Sequence, residues 1–420
     1  MSVARQLDVF LHSEKAGLLE QDDAANLTFT YDQHYLVSDK AKAISVSMPL
    51  SGNPYTNAVA KPYFSGLLPD ESARTRLAAA LGISDTNAFG MLEIIGGDCA
   101  GALALFPAGE TMISQPLPDE VLDSQQLGEL LHELRGNPLL GSRSDVRLSL
   151  AGAQDKIAVK VSGDGIALVK NGEPTTHILK PDIQGLEGTS QNEVFCMTLA
   201  ARLGLQVPEV SFASSGDTPY ILVKRFDRLR REDQSVQRVH QEDFCQALSI
   251  PPELKYEDEG GPGIERSLDL LKRVVDQPAA DRLAFLRMQV FHYLVGNADA
   301  HAKNYALLHV SGAESPVLAP LYDVVCTAVY PQLTKKMAMR IGGRNVPDTI
   351  QQGHWLSLVP NTRGAQKLLL KEMATLANRI VPAMEELLSE ADALGIRHAV
   401  LHDIGTVIRT RSQLLLRAVS

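Results

Sequence analysis

The amino-acid sequence predicts an α+β protein of two lobes, with a strand-rich N-terminal half and an all-helical C-terminal half. Three observations support this fold class. Residues 146–161 largely alternate in side-chain character with a period of two, which is typical of β-strands. Residues 365–395 repeat apolar side chains at helical spacing. The chain length of 420 residues exceeds what one compact core usually holds, so more than one lobe is expected.

The pattern along the chain predicts four segments. Residues 1–107 mix short strand-like runs with a helical stretch, and we expect an N-terminal subdomain there. Residues 108–145 are polar and contain prolines, which is typical of a linker, here with one helix. Residues 146–238 are expected to form the strand-rich lobe, and residues 239–420 the helical lobe.

The strand-rich segment predicts its elements in order. Residues 146–150 and 157–161 alternate on either side of a turn of small residues, which predicts a strand, a turn and a strand. The run THILK predicts a third strand that ends at Pro181, and YILVKRF predicts another. Between these two, SQNEVFCMTLAARLG predicts a helix that begins with a capping box of Ser190 and Glu193.

Composition narrows the class of protein. The chain is 45% hydrophobic and 21% charged, which is ordinary for a globular protein. It contains no apolar run of 18 residues and begins without a signal-peptide core, so we expect neither a membrane span nor secretion. Four widely separated cysteines argue against a zinc site or a disulfide framework and favour a cytoplasmic protein.

The net charge of −10 bears on nucleic-acid binding. A protein that grips DNA through its own surface is usually more basic, so a role on DNA requires a partner or a local basic patch. The candidates for such a patch are the basic stretches at 224–231 and 335–344.

A polar stretch, GNADAHAKN at 296–304, interrupts an apolar run. Asp299 and Asn304 lie five positions apart, and a loop that follows a helix can aim both at one point. There an aspartate can accept a proton from an attacking hydroxyl, and an asparagine oxygen can hold Mg²⁺. The alternative is a solvated turn with side-chain capping. His301 is a candidate ligand or catalyst, or else a residue that hydrogen-bonds the loop.

Three further charged residues are candidates. Asp323 stands among apolar neighbours, where a carboxylate needs a partner or a cation; the alternative is a turn aspartate. Lys180 ends a predicted strand and can hold phosphates as a point charge, or it can be an edge lysine facing solvent. Glu193 can pair with Lys180, although the capping box explains it equally well.

The segment SLAGAQDK at 149–156 consists mainly of small residues that let backbone N–H groups approach phosphate oxygens, although an ordinary hairpin also explains it. The order of the parts is more informative than any one of them. A small-residue turn, a strand lysine, a helix glutamate, Asp-x₄-Asn and a later aspartate together predict a protein-kinase-like phosphotransfer fold.

Several motifs resemble those of a known family. They are GLLPD, IGGDCAGAL, SLAGAQDKIAVK, THILKP, NEVFCMTLA, KRFDR, QEDFCQ, KYEDEGGPGI, GNADAHAKN and YDVV. Over residues 40–330 they resemble, in order, the HipA-type serine/threonine kinase toxins of bacterial type II toxin–antitoxin systems. The resemblance implies a protein kinase that uses ATP and Mg²⁺.

The resemblance also implies a biological role and partners. The substrate would be an aminoacyl-tRNA synthetase, typically glutamyl-tRNA synthetase, whose phosphorylation slows translation and promotes persistence. A small helix-turn-helix antitoxin, HipB-like, would neutralise the kinase. The two proteins together would bind operator DNA and repress their own operon.

Roles carry over from the resemblance residue by residue. Asp299 matches the catalytic base, Asn304 and Asp323 match the metal-associated positions, and Ser149 matches an inactivating autophosphorylation site. Glu193 is the expected ion-pair partner of Lys180. The residues expected at the nucleotide are Ala151, Gly152, Ala153, Gln154, Asp155, Lys156, Lys180, Lys224, Arg225, Phe226, His301, Ala302, Lys303, Asn304, Tyr322 and Asp323.

Two details of the sequence qualify these expectations. Lys224-Arg225-Phe226 replaces the family's Glu-Arg-Phe, which matters little where only backbone meets adenine. The alternation around Ser149 places it on the polar face of VRLSL, so its hydroxyl is expected to point away from the apolar side.

Two other functions stay open at this point. One is a small-molecule phosphotransferase of the aminoglycoside-kinase kind, which shares the fold and the Asp-x₄-Asn loop. The other is a non-catalytic pseudokinase that acts only as a co-repressor. No polar member of the constellation is missing, which disfavours the pseudokinase, and SLAGAQDK is typical of the toxin family rather than of small-molecule kinases.

Overall fold

The N-terminal part of the chain forms an antiparallel sheet with short helices. We describe a computed structural model over residues 5–110, 118–134, 137–140, 147–163, 165–170, 173–233 and 235–419. The first sheet has the strand order β3-β2-β1-β4. Its region contains β1 (Arg5–Leu11), β2 (Glu14–Gln21), β3 (Leu27–Tyr31), α1 (Gln33–Leu36), α2 (Asn57–Ser65), α3 (Glu71–Leu81), α4 (Ala88–Ile95) and β4 (Leu103–Pro107).

A six-stranded antiparallel sheet follows, in the order β5-β7-β6-β8-β10-β9. Helix α6 lies in the chain between β8 and β10, as the sequence predicts, and β9, which was not predicted, lies between α6 and β10. A two-stranded ribbon, β11 with β12, comes after the sheet. The elements are β5 (Glu120–Leu122), α5 (Ser124–Glu133), β6 (Ile157–Ser162), β7 (Gly165–Leu168), β8 (His177–Pro181), α6 (Thr189–Arg202), β9 (Val210–Ser215), β10 (Thr218–Lys224), β11 (Arg228–Arg230) and β12 (Val236–Arg238).

The C-terminal part is mainly helical. Its elements are β13 (His240–Asp243), α7 (Phe244–Ala247), α8 (Ile264–Val274), α9 (Pro278–Val295), β14 (Ala306–His309), β15 (Val317–Leu318), α10 (Gln352–Leu356), α11 (Arg363–Ser389) and α12 (Val400–Val419). Within the residues described, no helix is both long and apolar enough to cross a membrane.

The helical lobe differs from the prediction in one respect, because it also holds a small antiparallel sheet, β13-β14-β15. Strands of four and two residues are too short to show the alternation that identifies a strand in sequence. The sheet matters for the site, since β14 begins at Ala306, two residues after Asn304.

Two hydrophobic cores organise the molecule. The first joins the N-terminal sheet to the six-stranded sheet, with Leu7 and Phe29 in the same cluster as Ile157 and Leu179. The second is built on α6, α8, α9, α11 and α12. The N-terminal region and the strand-rich lobe therefore share one core, and the four segment boundaries stay a prediction.

The predicted strand at 146–150 does not form a hairpin with β6. Val146 lies outside the described residues, and Leu148 makes a single parallel bridge to Asp98. The backbone N–H of Ser149 donates to Asp98 O at 3.0 Å, and its hydroxyl donates to Leu67 O at 2.7 Å. Ser149 is fully buried, and its hydroxyl meets Leu67 O of the N-terminal region. We call residues 5–107 the N-terminal lobe. The direction of the hydroxyl relative to the apolar side chains of its own segment stays a prediction.

A buried charge network fixes the N-terminal lobe to the end of β10. Asp98 Oδ1 accepts from Arg228 at 2.8 Å and from Arg238 Nε at 3.0 Å, while Asp227 pairs with Arg225 at 2.8 Å. Arg225 and Arg228 are buried in this network, so they cannot face DNA as the basic stretch at 224–231 suggested. Buried charges of this kind are tolerated only when they are paired and hydrogen-bonded.

Asp98→Asn should lower the free energy of unfolding by about 3–5 kcal/mol, because it leaves buried arginines short of one carboxylate charge while keeping the side-chain shape. Urea denaturation of the full chain measures this. Asp258→Asn is the matched control, since Asp258 pairs with Arg340 at the surface and should cost no more than about 1 kcal/mol. Equal effects of the two substitutions would contradict a stabilising role for the buried network.

Candidate active site

A cleft lies between the six-stranded sheet and the helical lobe. Two adjoining cavities in it are lined in part by the predicted site residues Ala151, Gly152, Ala153, Gln154, Lys156, Lys180, Lys224, Arg225, Phe226, Asp299, His301, Lys303, Asn304, Tyr322 and Asp323. Four predicted residues do not line either cavity: Ser149, Asp155, Ala302 and Glu193. The fold thus brings together side chains that are up to about 170 positions apart in sequence.

Lys180 joins the two lobes. It ends β8, and its Nζ donates to Glu193 Oε1 on α6 and to Asp323 Oδ1 in the helical lobe, each at 2.7 Å. The alternative of a solvent-facing edge lysine is therefore wrong, because Lys180 is buried. These three residues form what we call the Lys180 triad.

Of the two interpretations of Glu193, the structure contains the ion pair. Helix α6 has Gly188 as its N-cap, and no side chain caps it from that position. Asp182 supplies the hydrogen bond instead, accepting from the backbone N–H of Ser190 at 2.7 Å. Glu193 is 2% exposed and faces Lys180, so the predicted capping box is not formed.

The charges of the triad shift one another. Burial would lower the pKa of Lys180, but Asp323 and Glu193 outweigh burial and raise it. Burial would raise the pKa of Asp323, but Lys180 and Lys156 outweigh burial and lower it. Lys180 is therefore held as a cation and Asp323 as an anion across the neutral pH range.

The backbone conformation of Asp323 and the exposure of its side chain are those expected of a residue that contacts a bound group. Its φ is 58°, in the left-handed region that non-glycine residues rarely adopt and that tends to occur at functional sites. Its side chain is 39% exposed, far more than those of its partners Lys180 and Glu193. Part of the carboxylate therefore faces the cleft and can meet a bound group.

The interrupted apolar run is the end of a helix followed by a structured loop. Helix α9 ends at Gly296, whose φ of 72° needs glycine, and the polar loop begins there. The amide nitrogen of Asn304 donates to Asp299 O at 3.1 Å, and Asn297 Oδ1 accepts from the backbone N–H of Asp299 at 2.9 Å. These bonds hold Asp299 and Asn304 at one point, as their spacing suggested, and leave the Asn304 amide oxygen for a ligand.

The Asp299 carboxylate is a weak base whose pKa is raised above the usual value for an aspartate. Its Oδ1 accepts from the Tyr256 hydroxyl at 2.6 Å at the mouth of the second cavity. Asp299 is exposed at its outer edge, but loss of water around the carboxyl inside the cleft raises its pKa to about 6, although the bond from Tyr256 opposes the shift. Asp299 is thus ionised at neutral pH and a stronger proton acceptor than an ordinary aspartate.

His301 is a neutral imidazole that lines both cavities. Burial, with a further contribution from Lys255, lowers its pKa to about 3. Among the described residues its Nδ1 has no hydrogen-bond partner, although the ring is buried. An unpaired buried nitrogen beside the loop is available to a ligand in the cleft, which goes beyond the alternative of a histidine that only braces its own loop.

The segment 151–156 closes over the cleft. Gly152 has a φ of 112°, a backbone conformation that residues with a side chain rarely adopt, so glycine is strongly favoured there. Lys156 donates to Ala151 O at 2.9 Å, and burial together with Lys180 lowers its pKa to about 8. Asp155 instead pairs with Arg76 of the N-terminal lobe.

The segment 224–226 presents mainly its backbone and one ring to the cleft. Lys224 reaches Glu209 at the surface at 2.8 Å, and the Arg225 guanidinium lies in the buried network around Asp98. The Phe226 ring packs on Tyr322 with 5.3 Å between centroids. The end of the Lys224 side chain is therefore held at the surface by Glu209.

The N-terminal lobe supplies site residues that the sequence pattern did not reveal. The Asp70 carboxylate lies 3.2 Å from Lys303 Nζ and 3.7 Å from Lys255 Nζ, and its backbone N–H donates to Gly152 O at 3.1 Å. It links segment 151–156 to the loop of Asp299. The sequence signal was the acidic pair Asp70-Glu71 after the apolar run GLLP, but the partners of Asp70 are about 180 and 230 positions away.

The donors present fit Mg²⁺. The Asn304 amide oxygen and the exposed part of the Asp323 carboxylate are oxygen ligands, which Mg²⁺ prefers. Within the described ranges no group of three or more histidine, cysteine, aspartate or glutamate side chains could hold a metal alone. The cleft therefore fits a cation that takes its other ligands from bound phosphates and water, as Mg²⁺ does with nucleotides.

Comparisons with protein families cover most of the chain. Residues 7–106 match the HipA N-terminal domain, and residues 148–390 match the HipA-like C-terminal domain. A Sinorhizobium fredii protein that is named as a kinase, Y4mE, is 39% identical over 415 residues, which are 98% of each chain. The serine/threonine-protein kinase toxin HipA of Shewanella oneidensis is 29% identical over 406 residues, 92% of this chain and 91% of that protein.

A solved structure shares the fold. It is the Shewanella oneidensis MR-1 toxin–antitoxin complex of HipA, HipB and operator DNA, with a TM-score of 0.80 and 25% identity over 98% of this chain and 96% of that chain. The protein-kinase-like two-lobed fold predicted from the sequence is confirmed by this match.

Proposed function

Because this chain belongs to the HipA family of kinase toxins, we propose that it transfers the γ-phosphate of ATP to a serine or threonine hydroxyl of a protein. One observation carries the proposal. The Lys180 triad and the Asp299–Asn304 loop face one cleft, so groups for binding phosphate, holding a cation and accepting a proton lie together. Phosphoryl transfer requires this set of groups.

Each group has a task in that reaction. Segment 151–156, Lys156 and Lys180 bind the phosphates of ATP, and the backbone of 224–226 with the Phe226 ring binds adenine. Asn304 and Asp323 would hold Mg²⁺, which neutralises phosphate charge when it is bound. Asp299 accepts the proton of the acceptor hydroxyl as its oxygen bonds to the γ-phosphorus, and ADP leaves with the electrons of the broken bond.

The family supports a finer proposal about the target. We infer an aminoacyl-tRNA synthetase as the substrate, with glutamyl-tRNA synthetase as the first candidate, whose phosphorylation inhibits translation and promotes persistence. The small-molecule alternative has no supporting feature in the cleft, and the pseudokinase alternative conflicts with the presence of Lys180, Asp299, Asn304 and Asp323 around it. A cytoplasmic location follows from such a target.

The related toxin structure holds HipB and operator DNA, which supports the same kind of partners here. We infer a small helix-turn-helix antitoxin that inhibits the kinase and carries it to operator DNA, where the pair represses the operon. The net charge of −10 and the burial of Arg225 and Arg228 favour DNA contact through the antitoxin rather than by this chain alone.

Autophosphorylation of Ser149 is part of the proposal as a means of self-inactivation. In this structure the Ser149 hydroxyl is bonded to Leu67 O and inaccessible, so the segment must leave its place before phosphate can be added. A phosphoserine adds a charge of about −1.5 to −2 beside the phosphate-binding segment. Repulsion from nucleotide phosphates would then keep the segment displaced and the kinase inactive.

Asp299→Asn should abolish most protein phosphorylation and leave ATP binding intact. The amide keeps the shape and can still accept the Tyr256 bond, but it cannot take a proton, so the transfer rate should fall about 10²–10⁴-fold. Transfer from labelled ATP and calorimetry of ATP binding measure the two effects. Asp392→Asn, at an exposed pair with Arg397, is the control. A wild-type rate in Asp299→Asn would refute its role as the base.

The kcat/KM for phosphorylation should fall as pH drops through about 6. The base must be ionised, so activity is present above the raised pKa of Asp299 and is lost below it, by about tenfold per pH unit. Tyr256→Phe removes a hydrogen bond that lowers this pKa, so its acid limb should move to higher pH. Profiles from pH 3 to 8 test both predictions. An acid limb near pH 4 in both proteins would rule out a raised pKa of Asp299.

Incubation with ATP and Mg²⁺ should add one phosphate at Ser149, and activity should decline as it accumulates. Mass spectrometry of the full chain follows the modification, while transfer to a protein target follows activity. Ser149→Ala should stay unmodified at this position, although it loses the bond to Leu67 O. An unmodified Ser149 in protein that is active on its target would exclude this form of regulation.

A further inference from the structure

The second cavity of the cleft extends away from the adenine-binding segment 224–226. It has a volume of about 380 Å³ and contains Asp299 in its wall. Residues 183–189 and 325–334 form one side of it, beyond the Lys180 triad. Its position beside the proposed base, and away from the adenine end, makes it the space in which an acceptor chain would lie.

One side of this cavity is aliphatic. We call it the aliphatic wall, and its residues are Ile183, Leu186, Val325 and Leu333. All four are half-buried, and Leu186, Val325 and Leu333 pack with their inner surfaces against the helical core. Their outer surfaces border the cavity. Clustered aliphatic surface in a concave site is typical of a place where a ligand's apolar group is covered.

Hydrogen bonds hold the aliphatic wall in shape. The Tyr330 hydroxyl donates to Glu187 O at 3.2 Å, and Gln332 donates to Gly185 O at 3.0 Å, which joins the two segments that carry the wall. The backbone N–H of Leu186 donates to Ile183 O at 3.0 Å. A preformed wall can select an apolar group without a large cost of ordering itself.

The opposite side of the cavity carries charges that are already paired. Lys255 Nζ lies 2.7 Å from Glu71 Oε1 and also lies over the ring of Tyr256, 5.4 Å from its centroid. The remaining charged groups, Lys156, Asp299 and Asp323, belong to the phosphotransfer machinery. The described lining of this cavity therefore offers no unpaired charge to select a charged side chain of the acceptor segment. It does offer a surface that can select an aliphatic side chain.

We propose that the aliphatic wall is an acceptor subsite that binds a large aliphatic side chain adjacent to the serine that is phosphorylated. The inference rests on the proposed function and adds the chemical class of the acceptor segment to it. The chain's own candidate acceptor agrees with this class, since Ser149 lies between Leu148 and Leu150. In the step itself the serine oxygen bonds to the γ-phosphorus, Asp299 takes the hydroxyl proton, and ADP departs.

Two synthetic peptides test the subsite. Each has one serine in the same polar background, flanked by leucine on both sides in one peptide and by glutamine in the other. With wild-type protein and labelled ATP, kcat/KM for the leucine peptide should exceed that for the glutamine peptide by about 10-fold or more, the range that apolar pockets achieve.

Substitutions in the wall locate the effect. Leu333→Ala should reduce the preference to within about 3-fold without changing the KM for ATP, since only the contact with the flanking side chain is lost. Leu333→Met keeps the volume and should keep the preference. Leu370→Ala is the matched control, because Leu370 is also half-buried against the helical core but lies on α11, outside both cavities. A melting temperature for each variant shows that it is folded.

The outcomes separate the subsite from the kinase activity. A wild-type protein that labels proteins of a cell lysate, yet shows no preference for the leucine peptide or labels neither peptide, overturns the subsite and leaves the proposed function standing. A preference that survives Leu333→Ala and Leu186→Ala unchanged also overturns it. A wild-type protein that labels neither lysate proteins nor peptides overturns the proposed function together with the subsite.

Discussion

The buried cation of Lys180 is the constraint on which the cleft depends. A buried ammonium is tolerable only with close anionic partners, and its two partners come from different elements, Glu193 from α6 and Asp323 from the helical lobe. The cost of leaving Lys180 unpaired therefore ties the sheet, the helix and the second lobe to one another. The same three side chains present a positive and a negative charge to the cleft, so the interaction that closes the structure also prepares the site for phosphate and a cation.

The N-terminal lobe is part of the active structure and not an appendage. It shares a hydrophobic core with the six-stranded sheet, and it contributes buried charges at two places. Asp98 fixes the end of β10, where segment 224–226 begins, and Asp70 contacts both Gly152 and Lys303. Each contact supports a different part of the cleft, so we conclude that this lobe holds segments 151–156 and 224–226 in place relative to the loop of Asp299.

Sequence patterns predicted the local geometry of the candidate site better than they predicted the contacts between distant parts of the fold. The Asp299–Asn304 spacing and the strand end at Lys180 are local features, so their geometry could be predicted. The pairing of Asp70 with Lys303 and the burial of Arg225 could not, because both depend on contacts between segments more than 100 positions apart. The capping box predicted at Ser190 and Glu193 is an error of the opposite kind, because here a local motif was given too much weight. Glu193 is buried and pairs with Lys180 instead of capping its helix.

Ser149 shows that alternation alone does not tell whether the polar face of a segment meets solvent or another part of the protein. In the pattern it belongs to the polar face of a strand, but the N-terminal lobe covers that face and supplies Leu67 O and Asp98 O as hydrogen-bond partners. A serine that is fully buried and hydrogen-bonded twice stabilises the segment in its place. Movement of segment 147–156 out of the cleft must break those bonds and the contact between Gly152 and Asp70 together. The position of segment 147–156 in the cleft and its docking on the N-terminal lobe are therefore one structural state, and any modification that displaces the segment also releases it from that lobe.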